Sequence, residues 1–415
     1  MTTRDVKTAH VSFSRLRARL DALAEVGSFA PGGCSRLALT DADREGRDLV
    51  VTWMRDLGLR VDVDGIGNIV GTWPADRFEP PVLTGSHIDT VATGGIYDGA
   101  LGVLAGLEVI ETVATAGIDT EHPLAVGVFT DEEGSRFAPD MLGSLVFVGG
   151  VALETALDAE GVDGAVLGDE LTRIGYAGPS PCPAVAPHAF VELHIEQGPV
   201  LEAEGVAIGV VTGVQGISWT ELTITGQSNH AGTTPMTLRH DAAYVAAAVA
   251  VAVRELTREL GAPLVATVGR IELHPNLVNV VAARAVVTVD LRHTDDAALT
   301  AAEVRLTELC DDLAVAEGVT ISARSLARFA PVDFDDRVIA LVETVAHAQG
   351  HSTRRMPSGA GHDAQMLARV CPAGMVFVPS AGGVSHNPAE HTDDEQLAAG
   401  AEVLLQVMLE LAGAR

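Results

Sequence analysis

Five short segments of this chain carry side chains of the kinds that hold metal ions. They are Gly85-Ser-His87-Ile-Asp89, Gly95-Ile-Tyr-Asp98-Gly99, Thr130-Asp-Glu132-Glu133-Gly134, His194-Ile-Glu196-Gln197-Gly198 and Ser385-His386-Asn387-Pro388. Imidazole and carboxylate together, without thiolate, suit zinc, manganese or cobalt. Asp89, two residues after His87, suits a carboxylate that holds the second nitrogen of a metal-bound imidazole. Asp98, beside glycine in a tight turn, could bridge two ions. Glu132 and Glu133 need separate tasks, because neighbouring like charges resist ionising together. One would bind metal and the other would shuttle a proton from an activated water that attacks a carbonyl.

Each residue also has a plainer reading. His87 could be a loop histidine bonded to backbone, Asp98 and His386 turn residues, Glu132 and Glu133 a solvated acidic loop, and His194 a satisfied core histidine. Their joint placement favours a site, since open parallel sheets bind ligands beyond the carboxyl ends of their strands.

The elements that must position them follow from hydrophobic patterning. Apolar runs at 82–85, 124–130 and 191–195 read as strands, a Leu-, Val- and Ala-rich stretch at 99–116 as a buried helix, and 41–57 as a helix with Leu49, Val50, Trp53, Met54 and Leu57 on one stripe. That alternation predicts βαβ units and a mostly parallel sheet. The middle third reads as strand 220–226, helix 241–260, strands 264–273 and 285–292, helix 296–317 and strand 319–324. This β-α-β-β-α-β order is the ferredoxin-like split unit. A helix at 335–349, a strand at 375–378 and a helix at 393–411 then resume the first pattern. The expected fold is α/β, a mostly parallel-sheet domain (1–211 and 330–415) interrupted by the inserted unit (212–329). No internal repeat is present, and the Gly- and Pro-rich stretch 161–187 reads as an excursion of the first domain.

Composition narrows the function. The 415 residues include 56 acids and 27 bases, for a net charge of −29, and Lys7 is the one lysine. Such a chain repels phosphate backbones, which argues against nucleic acid as a partner. A GxxxxGK[ST] phosphate loop or a pyridoxal Schiff base would need a lysine better placed than one near a terminus. The apolar run 242–253 falls short of a membrane span. The opening residues have no apolar signal core and the four cysteines form no CxxC pair, so a cytoplasmic protein with reduced thiols is expected.

Longer motifs carry a family resemblance from about residue 65 onward. GSHIDTVATGGIYDGALGVLAG, FTDEEGSRFAPDMLGS, FVELHIEQGPVLE, GQSNHAGTTPM, PNLVNVV, DLRHTD, SGAGHDAQM and PSAGGVSHNPAE together resemble the N-carbamoyl-L-amino acid hydrolases, with β-ureidopropionase and allantoate amidohydrolase, of the aminoacylase/carboxypeptidase metallohydrolase superfamily. The resemblance implies a centre of two divalent ions (zinc, manganese, cobalt or nickel) held by His87, Asp98, Glu133, His194 and His386, with Asp98 bridging. It makes Glu132 the general base and gives Asp89 the task of orienting His87. It implies substrate contacts from Gln197, His230, Asn279, Arg292, Gly361 and His362, with His230 reaching the partner's site in a homodimer and the inserted domain acting as lid and dimerisation surface. The substrate would be a small ureido compound with a carboxylate. Asp89, Asp98, Glu132, Glu133 and Glu196 are the acids expected at or near the site. A metal-free binding protein on the same fold is the rival of another class.

Overall fold

The computed structural model describes residues 9–414; Lys7 lies outside them. The chain divides into two compact units, one formed by the described residues up to Gly213 and from Asp333 on, the other by Val214–Val332.

The first unit is built on a mixed sheet whose middle is parallel. In spatial order, seven of its nine described strands are Ile208–Val214, Ala373–Val378, Ala189–Ile195, Val82–His87, Leu124–Phe129, Ile69–Trp73 and Arg60–Val63; Val332–Asp333 and Thr353–Ser358 pair with the first of these. Ala373–Val378 through Leu124–Phe129 run parallel, and the flanking strands are antiparallel. The parallel strands are buried at every residue, which is why they carry apolar residues on both faces and show no regular alternation with polar ones. Ala100–Ala116 packs on three of them and against the closing helix Asp394–Leu411.

The helix Asp41–Asp56 starts where the Thr40 hydroxyl accepts from Asp43 N at 3.3 Å. Its buried face carries Asp43, Gly46, Arg47, Val50, Val51 and Met54, whereas Leu49, Trp53 and Leu57 of the expected stripe are half-buried. A wholly buried ion pair turns the face: Arg47 donates to Asp43 at 2.8 Å and reaches Gly67 O and Thr130 Oγ1.

The second unit has the predicted split topology. Its antiparallel strands lie in the order Val265–His274, Arg284–His293, Gly216–Thr225, Thr320–Phe329. Ala242–Leu260 and Asp296–Glu317 pack on this sheet over a core that includes Leu222, Val249, Val287, Leu291 and Leu306. Asp241 and Asp295 cap these helices, accepting from Ala243 N and Ala298 N.

Candidate metal centre

His87 closes the strand Val82–His87, and His194 lies one residue before the end of its parallel neighbour Ala189–Ile195. Both rings therefore emerge at one end of the sheet, with centroids 6.2 Å apart. Each Nδ1 faces a backbone carbonyl at 2.9 Å, that of Asp89 for His87 and that of Ile195 for His194. A carbonyl can only accept, so each neutral ring carries its proton on Nδ1 and presents a lone pair on Nε2.

Asp98 faces both Nε2 atoms. Its Oδ1 is 3.2 Å from His194 Nε2 and 3.7 Å from His87 Nε2. Its Oδ2 turns the other way, 3.3 Å from His386 Nε2, and accepts from Gln197 Nε2 at 2.9 Å. Glu133 Oε2 is also 3.3 Å from His386 Nε2. Two ligand groups thus share one carboxylate: His87–Asp98–His194, entirely buried, and Asp98–Glu133–His386, with His386 exposed. Gly99 permits the approach. Its φ is +65°, a Cβ there would lie 2.5 Å from the His87 ring, and its N–H points at His194 Nε2 at 3.2 Å. Three non-glycine residues with φ near +55° stand around the centre: Asp131 (+57°), Gln197 (+57°) and His386 (+54°). Such strain gathers where side chains must be aimed.

Glu132 is buried, with Oε2 3.4 Å from His87 Nε2. Asp89 departs from the expectation. Its carbonyl, and not its carboxylate, holds His87; the carboxylate oxygens instead accept from Glu132 N at 3.4 Å and Glu133 N at 3.3 Å. The strand direction at His87 returns the Asp89 carbonyl to the ring and sends its side chain under the neighbouring loop.

A family model for the peptidase family M20/M25/M40 matches residues 83–410. The chain belongs to this family. Among its M20/M25/M40 relatives, an N-carbamoyl-L-amino-acid amidohydrolase of Rhizobium meliloti is 43% identical over 97% of each chain. An allantoate amidohydrolase of Bacillus subtilis is 35% identical over 94% of this chain and 95% of its own. A crystal structure of an amidase of the hydantoinase/carbamoylase family from Burkholderia multivorans superposes with a TM-score of 0.94 at 46% identity, covering 98% of this chain and 99% of the other.

The electrostatics of the M20/M25/M40 centre favour a divalent cation. Burial raises Glu132 and Glu133 well above the usual carboxylate range. The charges of Asp363, Glu133, Asp98 and Asp89 add to the effect on Glu132, and those of Asp98 and Asp89 to the effect on Glu133. For Asp98, burial works against the charge, but hydrogen bonds with His194 and His386 outweigh it and hold the carboxyl well below the ordinary range. Burial likewise opposes the His194 cation, yet Asp98 and Glu192 lift it to about 9. A bound dication would relieve this crowding of buried carboxylates, favouring the charged forms of Glu132 and Glu133 and the neutral form of His194. Glu133 Oε1 and Gln197 Oε1 are buried with no hydrogen-bond partner among the described residues. The donor set therefore fits divalent metal.

His362 is not free to join it. Burial and the His194 charge push its ring well below the ordinary value, and its Nε2 faces Ser358 Oγ at 2.9 Å. It forms a third grouping with Glu192 and His194, but the Glu192 oxygens already accept from Ser86 Oγ and Ala364 N. A Cβ on Gly361 would lie 2.8 Å from Met141 Cε, so the close approach there is to that side chain. Glu196 is not among the clustered ligands, a correction to the expectation: it accepts from Val200 N and Leu201 N at 2.7 and 2.8 Å and so satisfies the first N–H groups of the helix Val200–Glu204.

In the second unit His230 and Asn279 come together. His230 bridges Val280, and Ala231 N donates to Asn279 O at 2.9 Å. His230 Nδ1 accepts from Gly232 N and Thr233 N, which leaves the proton of the neutral ring on an exposed Nε2. Arg292, at the end of its strand, is forked onto Asp290 through Nε and Nη2, the latter at 2.9 Å.

Sequence reasoning missed Glu192, Asp363 and Glu390. All are buried polar residues of the first unit. Glu390 is pushed up to about 7 by burial and the Asp98 charge. Its signal was its place inside the PSAGGVSHNPAE motif, four residues past His386.

Proposed function

We propose that this chain hydrolyses the carbamoyl C–N bond of N-carbamoyl-L-amino acids, or of N-carbamoyl-β-alanine, releasing ammonia, carbon dioxide and the free amino acid. The observation that carries the reading is the pair of ligand groups joined at Asp98 with Glu132 buried alongside. The names of the relatives on either side, carbamoyl-amino-acid and allantoate amidohydrolases, support this substrate class. Allantoate is the second reading, and it shares the site chemistry.

In this proposal His87, Asp98, Glu133, His194 and His386 hold two divalent ions per subunit, of zinc, manganese, cobalt or nickel. When bound, such ions supply Lewis acidity and make water more acidic. Glu132 takes the proton from the attacking water and delivers it to the leaving nitrogen, a role suited to a carboxylate whose affinity for protons is raised by burial. Asp89 acts by fixing the Glu132–Glu133 backbone and the His87 ring. His230 donates from Nε2 to the developing oxyanion, Arg292 pairs with the substrate carboxylate, and Gln197, Asn279 and the Gly361–His362 backbone complete the contacts. The inserted unit would serve as lid and dimer contact, with His230 serving the partner subunit. Four free thiols suit a reducing, cytoplasmic setting; among the described residues no helix is long and apolar enough to cross a membrane.

The test is a turnover panel with added manganese or zinc, scored by ammonia release from carbamoyl-L-methionine, carbamoyl-β-alanine, allantoate and a dipeptide. Release from carbamoyl substrates is expected, and release from allantoate alone would select the second reading. In the same assay Glu132→Gln should lose about 10²–10⁴-fold in kcat with metal content unchanged; near-native turnover would remove Glu132 as the base.

A further inference from the structure

We propose that Glu390 is a positioning residue that aims the Asp98 carboxylate at both ligand groups at once. The inference rests on the reading of Asp98 as the shared ligand.

Glu390 Oε1 accepts from two consecutive backbone groups, Tyr97 N at 3.0 Å and Asp98 N at 3.1 Å. One oxygen gripping two successive N–H groups fixes the plane of the peptide between them, and with it the direction in which the Asp98 side chain leaves the backbone. The turn needs such a grip, because Gly94 and Gly95 precede it, Gly99 follows it, and glycines leave backbone dihedrals free. The contact has been given room: a Cβ on Gly95 would lie 2.3 Å from Glu390 Oε1. Only a glycine lets the carboxylate lie across this turn.

The other oxygen works on the second ligand group. Glu390 Oε2 is 3.1 Å from Ser385 Oγ, which is also 3.3 Å from Asp98 Oδ2 and accepts from Gln197 Nε2 at 3.1 Å. A hydroxyl has one proton to give, so Glu390 and Asp98 share one donor and are held at fixed separation by it. Glu390 N donates to Asn387 O at 2.9 Å, closing the turn that directly follows His386, itself at positive φ. A single buried side chain, 6% exposed, thus ties the loop bearing Asp98 to the loop bearing His386 across 292 residues of sequence. Both oxygens of Asp98 then face their respective histidines.

The experiment is a Co²⁺ titration of metal-stripped Glu390→Ala and Glu390→Gln, followed by d–d absorption and calorimetry, with His386→Asn as control and the melting temperature of each metal-free protein alongside. The second, weaker Co²⁺ affinity is expected to fall by about 10–100-fold in Glu390→Ala, the usual cost of losing a partner outside the ligand shell. Glu390→Gln keeps one oxygen for the two N–H groups but removes the carboxylate acceptor that faces Ser385, so a smaller fall is expected. Unchanged affinities in both variants, whatever happens to the melting temperature, would reduce Glu390 to a structural residue and overturn the proposal. Should Glu390→Ala fail to fold, Glu390→Gln alone decides. If His386→Asn also leaves both affinities unchanged, the shared-ligand reading of Asp98 itself has failed.

Discussion

The two ligand groups that meet at Asp98 are made from the same residue types in different surroundings. His87 and His194 stand at the ends of adjacent buried strands, each ring locked by a carbonyl, and their group has no exposed member. His386 sits on a turn at positive φ with its side chain half exposed, and its partner Glu133 belongs to a loop held by Asp89. The first group is preorganised by the sheet and the second by loop hydrogen bonds. Preorganised donors lose less freedom on binding, so the sheet-end position should hold its ion tightly and the loop position should exchange it.

That contrast can be broken in three ways. The largest effect is expected from Asp98→Asn, which weakens both positions together: activity should fall more than roughly 100-fold, beyond the loss from an outer partner, and bound metal measured by plasma emission should drop below one ion per chain. Retention of two ions would show that the groups do not depend on a common carboxylate. A smaller, asymmetric effect separates the histidines. His386→Asn should lose one ion and recover activity when millimolar manganese is supplied, whereas His194→Asn should stay inactive; chelator dialysis of the native protein should likewise release metal in two phases. Equal rescue of both variants would erase the distinction. The smallest effect is expected at Glu196→Gln. This weakens the cap on Val200–Glu204 and should cost about 1 kcal/mol in urea unfolding with turnover unchanged. A loss of bound metal in that variant would return Glu196 to the site.

Much of the first group was legible because strands announce themselves. The apolar runs ending at His87 and His194 place both residues at a sheet end, and the glycines around Asp98 mark a turn. The inserted unit was legible for a similar reason, since its two long helices begin at aspartate caps and its strands alternate. What escaped depends on contacts remote in sequence or on backbone direction. Arg47 and Asp43 neutralise each other inside the core, so their face looks polar in sequence and the stripe is misplaced. Arg60–Val63 is too short for a period to stand out. The Asp89 carbonyl and carboxylate exchange expected roles because residue type does not state which group of a residue faces a neighbour. Glu390 follows an Asn-Pro turn, where an acid reads as solvated, and its partners lie near residue 97.

The place of Ala373–Val378 in the sheet has a consequence for biosynthesis. This late strand lies between Ala189–Ile195 and Ile208–Val214, both made more than 150 residues earlier. During translation, at about 5–20 residues per second, those two strands wait with unpaired edges, which are templates for association with other chains. The inserted unit has its own core and strand order and can fold in that interval. The sheet, and with it the metal centre, closes only when the last tenth of the polypeptide arrives. A nascent chain stalled before residue 373 is therefore an open sheet with ligands and no centre, and a natural client for chaperones.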